Sequence, residues 1–330
     1  MVGSLLTLAT RPKGNSAGLD SARYALALLA HDYPALTPAM WNACYRRLGF
    51  DVRSTAMLCA PGNLGTVLEA LRADERYAGG GVGVGLKAAA LLHLDDIDPL
   101  AEAAGAVNLI RRTPDSRLVG FNTDGEGYRR SLEERLAGAG RGLRGLKVLV
   151  LGAGGTGQAT ALALARQGVD LVVLNRTARR AADLAARVNR FVGRPACRAG
   201  GEEQLRAEAP VADVIVNVST VGAAGPLEQY CALAEAPLPA TPARVTRNRR
   251  SSRELLAALP PGTIISDVVL REGATPTLAL AREVGRPTLD GVGMVVHQGV
   301  EAFLLLHGDE LRDAGIARSD VIAEMEKAVR

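Results

Sequence analysis

Residues 148–159 read Val-Leu-Val-Leu-Gly-Ala-Gly-Gly-Thr-Gly-Gln-Ala, with glycines 152, 154 and 157 at the spacing G-x-G-x-x-G. Such a turn holds a pyrophosphate. One glycine makes the tight turn, one lets backbone approach the phosphates, and one lets the next helix pack closely on the sheet. Val148 to Leu151 is an apolar run of the buried parallel-strand kind. An Ala-rich stretch follows, and a helix opening near Thr156 would aim its free N–H groups at the phosphates. Gly152, Ala153, Gly154, Gly155, Thr156 and Gly157 are therefore candidate cofactor-binding residues. A second apolar strand, Leu171 to Leu174, runs into Asn175-Arg176-Thr177. Proteins that take NAD place Asp or Glu at this strand end for the ribose 2′-hydroxyl, and those that take NADP carry Arg for the 2′-phosphate. Here Asp170 stands at the other end of the strand, and Asn175, Arg176, Thr177 and Arg180 become candidate contacts. A guanidinium meets a phosphate in a fork, so the expected cofactor is NADP. Arg179 reads equally well as part of a solvated helix face.

The elements that position this turn are spread over 330 residues, enough for two domains. Nearly half the residues are apolar, much of that Ala, and aromatics are scarce, which suits helices packed on a sheet. The net charge is a modest +4. The basic cluster Arg247, Arg249 and Arg250 has no interleaved aromatics, so it reads as a solvated loop and not as a nucleic-acid surface. Cys44, Cys59, Cys197 and Cys231 form no C-x-x-C pair and no metal spacing with His, so they read as reduced, mostly buried thiols, with no metal expected. No apolar run approaches a membrane span and no signal-peptide pattern opens the chain, so a cytoplasmic protein is expected. Strands are expected at Leu5–Ala9, Met57–Cys59, Val214–Asn217 and Ile264–Val268. Helices are expected at Ala22–His31, from Thr37-Pro38, at Leu64–Ala73, from Lys87, at Arg129–Arg141 and through the tail from Gly291. Pro226 to Pro261 reads as irregular and partly mobile. His31, His93 and His307 read as surface residues, and His297 is assigned no role.

Several ordered segments between about Thr37 and Gly308 resemble the shikimate/quinate dehydrogenase family. The most specific is Gly105-Ala106-Val107-Asn108, followed by Asn122-Thr123-Asp124-Gly125; the family has G-A-V-N-T and N-T-D-G. The glycine turn and Asn175-Arg176-Thr177 match its G-A-G-G and N-R-T. Asn217-Val218-Ser219-Thr220-Val221-Gly222 is similar to its N-A-T-P-x-G, and Asp267 with Thr275-Pro276 to its D-x-x-Y-x-P-x-x-T-P. Gly291 to Met294 with His297-Gln298-Gly299 resembles its G-x-x-M-L-x-x-Q-A helix. The resemblance implies an α/β fold of two domains: an N-terminal α/β substrate-binding domain (residues 1–128 with 292–330) and a Rossmann-type NADP domain with a mainly parallel sheet (residues 129–291). C-terminal helices would return to the first domain, and the substrate would lie in the cleft between the two. The family's catalytic Lys and Asp map to Lys87 and Asp124. Asn108, Gln298 and Thr37 map to substrate contacts, and Ser219, Gly291 and Met294 to the cofactor. The chemistry fits the pair. Reducing a ketone needs hydride on carbon and a proton on oxygen, and an ammonium beside a carboxylate can relay the proton. Lys87 follows a glycine run and Asp124 sits in a polar turn, so without the resemblance a surface lysine and a turn-former fit as well. The amides of Asn108 and Gln298 offer both donor and acceptor to a polyol.

The departures lie on the substrate side. The family's S-x-S-P reads Ala35-Leu36-Thr37-Pro38, so one hydroxyl is gone. Its G-x-N-V-T-x-P-x-K reads Gly79 to Lys87 with Gly81, Gly83 and Gly85 in place of Asn, Thr and Pro. Its Tyr in D-x-x-Y is Leu270. The segment Arg11 to Pro34 reads as an insertion after the first strand, with Arg11 or Lys13 available to an anion. A carboxylate held with fewer hydroxyls is poorly compensated, so the expected substrate is a related cyclic hydroxy or keto compound and the expected enzyme a specialised relative. The alternatives are a non-catalytic ligand sensor on a decayed dehydrogenase fold, or another NADP enzyme of similar layout. The expected partner is the small-molecule substrate alone, with the protein a monomer or homodimer.

Overall fold

The computed structural model describes residues 22–31 and 35–329. In chain order it has β1 (Arg23–Leu29), α1 (Leu36–Leu48), β2 (Val52–Leu58), α2 (Leu64–Ala73), β3 (Tyr77–Gly81), β4 (Asp96–Ile97) and α3 (Pro99–Ala104). There follow β5 (Leu109–Arg112), β6 (Leu118–Phe121), α4 (Asp124–Ala137), β7 (Lys147–Leu151), α5 (Gly155–Arg166), β8 (Asp170–Leu174) and α6 (Ala178–Val192). The remainder is β9 (Cys197–Gly200), α7 (Leu205–Glu208), β10 (Val214–Asn217), α8 (Pro242–Ala258), β11 (Ile264–Asp267), α9 (Pro276–Glu283), β12 (Thr288–Leu289), α10 (Val292–Asp313) and α11 (Arg318–Val329). The chain divides into two compact units, Met1–Gly127 with Val295–Arg330, and Tyr128–Met294.

The first unit is built on a mixed six-stranded sheet in the order β2-β1-β3-β5-β6-β4. Strand β1, one in from the β2 edge, lies parallel to both β2 and β3. Tyr24, Leu26 and Leu28 of β1 pack with Leu64, Val67 and Leu68 of α2, and Ala25 meets Met40, Trp41 and Tyr45 of α1 with Val300 and Phe303 of α10. This corrects the expectation of a helix over Ala22–His31. Ala and Leu favour helices, but a strand buried on both faces also reads as an unbroken apolar run, and burial outweighs propensity. It also removes the expected insertion. Only residues 30–35 separate β1 from α1. The strand expected at Leu5–Ala9, and Arg11 and Lys13, lie outside the described residues.

His307 is a second correction, since it is buried (1% exposed) and not a surface residue. Its ring sits among Tyr45, Phe50 and Phe303. Nδ1 pairs with Glu310 Oε2 at 2.6 Å and Nε2 with the Tyr45 hydroxyl at 2.9 Å. That bond from His307, with Arg23 beside it, draws the Glu310 carboxyl down to about 2.

The second unit carries an all-parallel sheet in the order β12-β11-β10-β7-β8-β9. This is the doubly wound arrangement, and the strand order reverses between β7 and β10, where such sheets hold ligands at their carboxyl ends. The glycine turn follows β7 at that point. The stretch Pro226–Pro261 is not wholly irregular. It contains the 17-residue α8, opened by Thr241 as N-cap and by Pro242, so Arg247, Arg249 and Arg250 stand on a helix and not in a loop.

Candidate functional site

Lys87 and Asp124 meet in the first unit. Lys87 Nζ donates to Asp124 Oδ2 at 2.5 Å, with the lysine side chain 22% exposed and the carboxylate 9%. Two local features bring them there. In β3, a Cβ on Gly80 would lie 2.0 Å from the carbonyl oxygen of Leu26, so only glycine lets β3 lie this close to β1. The chain then turns at Gly85, and the Lys87 carbonyl accepts from Val107 N–H at 2.9 Å. Lys87 does not open a regular helix as expected; a short turn leads instead to a 3-10 segment, Ala89–His93. Asp124 is the first residue of α4 and not a turn residue, and a helix N-terminus suits a carboxylate.

Asn108 fixes the pair. Buried at the start of β5, it donates through Nδ2 to Asp124 Oδ1 at 2.7 Å and to Thr123 Oγ1 at 3.0 Å. Its Oδ1 accepts from Thr123 N–H at 2.8 Å. Thr123 Oγ1 donates in turn to the Gln298 carbonyl at 3.0 Å. Gln298, on α10, offers Nε2 to Thr37 Oγ1 at 3.3 Å and to the Val295 carbonyl at 3.0 Å. The five residues expected to serve catalysis and substrate thus form one connected hydrogen-bonded group. Asn108 is largely committed to Thr123 and Asp124, while Gln298 and Thr37 are more accessible. Thr123 was not singled out as a site residue, although it sits within the Asn-Thr-Asp-Gly motif that drew attention to Asp124.

The second unit holds the other candidate residues. In the β7–α5 turn, Gly152 has φ +118°, and a Cβ there would stand 3.1 Å from Ser219 N. A Cβ on Gly157 would meet the Gly152 carbonyl oxygen at 2.5 Å, so the third glycine seats α5 against the turn. A Cβ on Gly154 would meet nothing within 4 Å, which leaves open space at the N-terminus of α5, where a pyrophosphate fits. Asn175 ties the β8 tip to this turn by accepting from Ala153 N–H at 3.2 Å. Gly152, Asn175, Arg176, Thr177, Arg180 and Ser219 line one cavity of about 790 Å³. Arg179 is exposed and does not line it. Gly155 and Thr156 form the first turn of α5. Gly291, just before α10, packs on Val268, where a Cβ would stand 2.6 Å from the carbonyl oxygen, and Met294 is buried nearby in sequence. Neither lines that cavity.

A buried polar chain supports Ser219. Its Oγ donates to Asn217 Oδ1 at 2.6 Å, and Asn217 Nδ2 donates to Asp267 Oδ1 at 2.9 Å. Asp267 Oδ2 accepts from Thr275 Oγ1, the N-cap of α9, at 2.7 Å. Burial pushes the Asp267 carboxyl up to about 6, against the pull of these donors. Asn217 was not anticipated as a positioning residue, yet one amide closing an otherwise apolar strand was a legible signal.

All four cysteines are buried and free. Among the described residues no group of His, Cys, Asp and Glu is arranged to hold a metal ion. No helix among the described residues is long and apolar enough to cross a membrane.

Residues 33–110 match the family model for the shikimate dehydrogenase substrate-binding domain, and residues 134–223 that for shikimate/quinate 5-dehydrogenase. A shikimate dehydrogenase (NADP(+)) of Moorella thermoacetica is 35% identical over 298 residues, covering 89% of this chain and 90% of the relative. The chain belongs to the shikimate dehydrogenase family. Its backbone is also similar to that of shikimate 5-dehydrogenase from Listeria monocytogenes, solved with shikimate and NAD (TM-score 0.75, 27% identity, 94% of this chain and 96% of that one). It resembles the ligand-free 5-ketofructose reductase of a Gluconobacter strain as well (TM-score 0.68, 25% identity, 93% of this chain and 99% of that one). Proteins named for different substrates thus share this fold.

Proposed function

We propose that the protein interconverts a hydroxyl and a ketone on a shikimate-like cyclic compound with NADP(H), as a specialised relative within the family. The observation that carries this reading is the 2.5 Å contact of Lys87 Nζ with Asp124 Oδ2, held by the Asn108 amide. Gly152 to Gly157 would hold the pyrophosphate, Asn175, Arg176, Thr177 and Arg180 the phosphorylated ribose, and Ser219, Gly291 and Met294 the nicotinamide end. When bound, the nicotinamide supplies or takes the hydride. The protein handles the proton. In reduction the substrate oxygen accepts a hydrogen bond from Lys87 Nζ, the proton passes from Nζ to that oxygen as the carbon is reduced, and the amine is reprotonated from water. Asp124 keeps the lysine in place and balances its charge. Gln298 and Thr37 orient neighbouring hydroxyls.

The specialised character rests on Ala35, Gly81, Gly83 and Leu270, which withhold polar groups that the family uses. Gly81 is informative because its backbone does not require glycine. A Cβ there would make only ordinary contact, 3.7 Å from Ala27 Cβ. The purified protein should be screened by NADPH absorbance against shikimate, quinate, other cyclic polyols and their ketones, with Lys87→Ala as control. Turnover of shikimate equal to that of the best alternative would remove the specialised reading. Tight NADP binding with no turnover of any compound would favour a non-catalytic sensor.

A further inference from the structure

We propose that Arg244 and Arg247 of α8 form the second wall of the 2′-phosphate pocket and set the preference for the phosphorylated dinucleotide; the inference rests on the NADP reading above. Both side chains line the same 790 Å³ cavity as Arg176 and Arg180. Positions 244, 247 and 251 fall on one helical face, and Ser251 lines the cavity too.

The helix is locked in that register. Asn248 is 3% exposed, and its Nδ2 and Oδ1 take the carbonyl and N–H of Cys231 at 2.9 Å each. The same Nδ2 reaches the Glu235 carbonyl at 3.0 Å. The face carrying Arg244 and Arg247 is therefore set before any ligand arrives. The Arg247 side chain makes no hydrogen bond or ion pair among the described residues, and the Arg244 guanidinium donates there only to the Pro239 carbonyl, at 3.0 Å. Arg250, on the same helix, does not line the cavity.

The charge balance shows why α8 matters. Glu202, Glu203 and Glu235 also line this cavity. Glu202 reaches solvent on one side, yet desolvation against the cavity wall and the carboxylates of Glu235 and Glu203 raise its pKa, while Arg176 lowers it. Arg206, the remaining cation of the lining, is paired with Glu254 at 3.6 Å. Arg176 and Arg180 alone are thus outnumbered by three carboxylates, and an added phosphate dianion would enter a site of unfavourable sign. With the two α8 guanidiniums the balance turns positive, and a phosphate gains forked donors from both walls.

The test is calorimetric titration of the full-length protein with 2′,5′-ADP and with 5′-AMP, which differ only in the 2′-phosphate. In Arg247→Gln, and more so in Arg244→Gln/Arg247→Gln, affinity for 2′,5′-ADP should fall by roughly tenfold per lost charged hydrogen bond, with 5′-AMP changing less than about twofold and Arg250→Gln altering neither. Equal loss for both nucleotides, no loss for either, or the same loss in Arg250→Gln would overturn the inference. A wild-type protein that binds the two nucleotides equally would instead overturn the NADP reading itself. Both variants alter exposed positions, and thermal melts of each confirm that the fold is retained.

Discussion

Replacing Lys87 by methionine should nearly abolish turnover, and replacing Asp124 by asparagine in the same molecule should cost little more. At 2.5 Å, two unit charges in an effective dielectric of about 20 attract by roughly 7 kcal/mol before desolvation is subtracted. The net value is far smaller, because both groups gave up water to meet. Breaking a buried pair costs about 3–5 kcal/mol when the surviving charge has no other support. Asp124 keeps the Asn108 amide at 2.7 Å and the lysine is only partly buried, so a loss of about 2 kcal/mol in folding stability is expected for Lys87→Met. In Lys87→Met/Asp124→Asn the orphaned charge is gone, and most of that stability should return. Activity behaves differently. A positioned proton donor is worth about 10²–10⁴-fold in rate, and residues that act as a unit do not lose activity independently. The double variant should therefore match Lys87→Met in kcat within a few-fold, while urea unfolding shows it to be more stable. Losses in kcat that multiply would mean that the two side chains act separately, and the proposed role of Asp124 in holding the proton-donating lysine would be wrong.

Three further outcomes follow from the same geometry. Asn108→Ala strands the buried Thr123 N–H and releases one oxygen of Asp124, so it should cost about 2–4 kcal/mol of stability and lower kcat with little change in cofactor KM; an unchanged kcat in the folded variant would remove its positioning role. Asp267 has a folded pKa of about 6 against an ordinary 3.8, so the folded state holds this proton more tightly than the unfolded one. The associated stability is fully present below about pH 4 and is lost as pH rises through 6, by about 3 kcal/mol; Asp267→Asn should flatten that fall in urea midpoints, and an unaltered slope would show that Asp267 is not the group responsible. Gly81→Asn should fold normally and raise shikimate kcat/KM by about tenfold, the worth of one added substrate hydrogen bond; no gain would mean that the missing amide is not what limits shikimate.

The glycine turn and the Asn-Arg-Thr strand end were legible in the sequence because the constraints on them are local. A positive φ at Gly152 and a helix seated on Gly157 are demands of a few consecutive residues, and the side chain at the end of the next strand is fixed by strand length. Apolar runs such as Val214–Ile215–Val216 announced the parallel sheet for the same reason. The strand Arg23–Leu29 was not legible. Its Ala and Leu residues suit a helix equally well, and only its position between β2 and β3 decides the matter. His307 was misread likewise, because the aromatic rings that bury it come from elsewhere in the chain and a single sequence does not say which side chains will converge.

The sequence by itself determined which residue types were present that suit the proposed binding of a pyrophosphate, transfer of a proton and recognition of hydroxyls, since those are properties of side chains and of short backbone turns. Only the tertiary structure decided that Lys87 and Asp124, 37 residues apart, touch, and that Asn108 and Thr123 hold them. It also decided that the arginines of α8 share a cavity with those after β8. Contacts of this kind depend on how sheets and helices pack across long stretches of chain, and packing is set by the burial of all the intervening residues together.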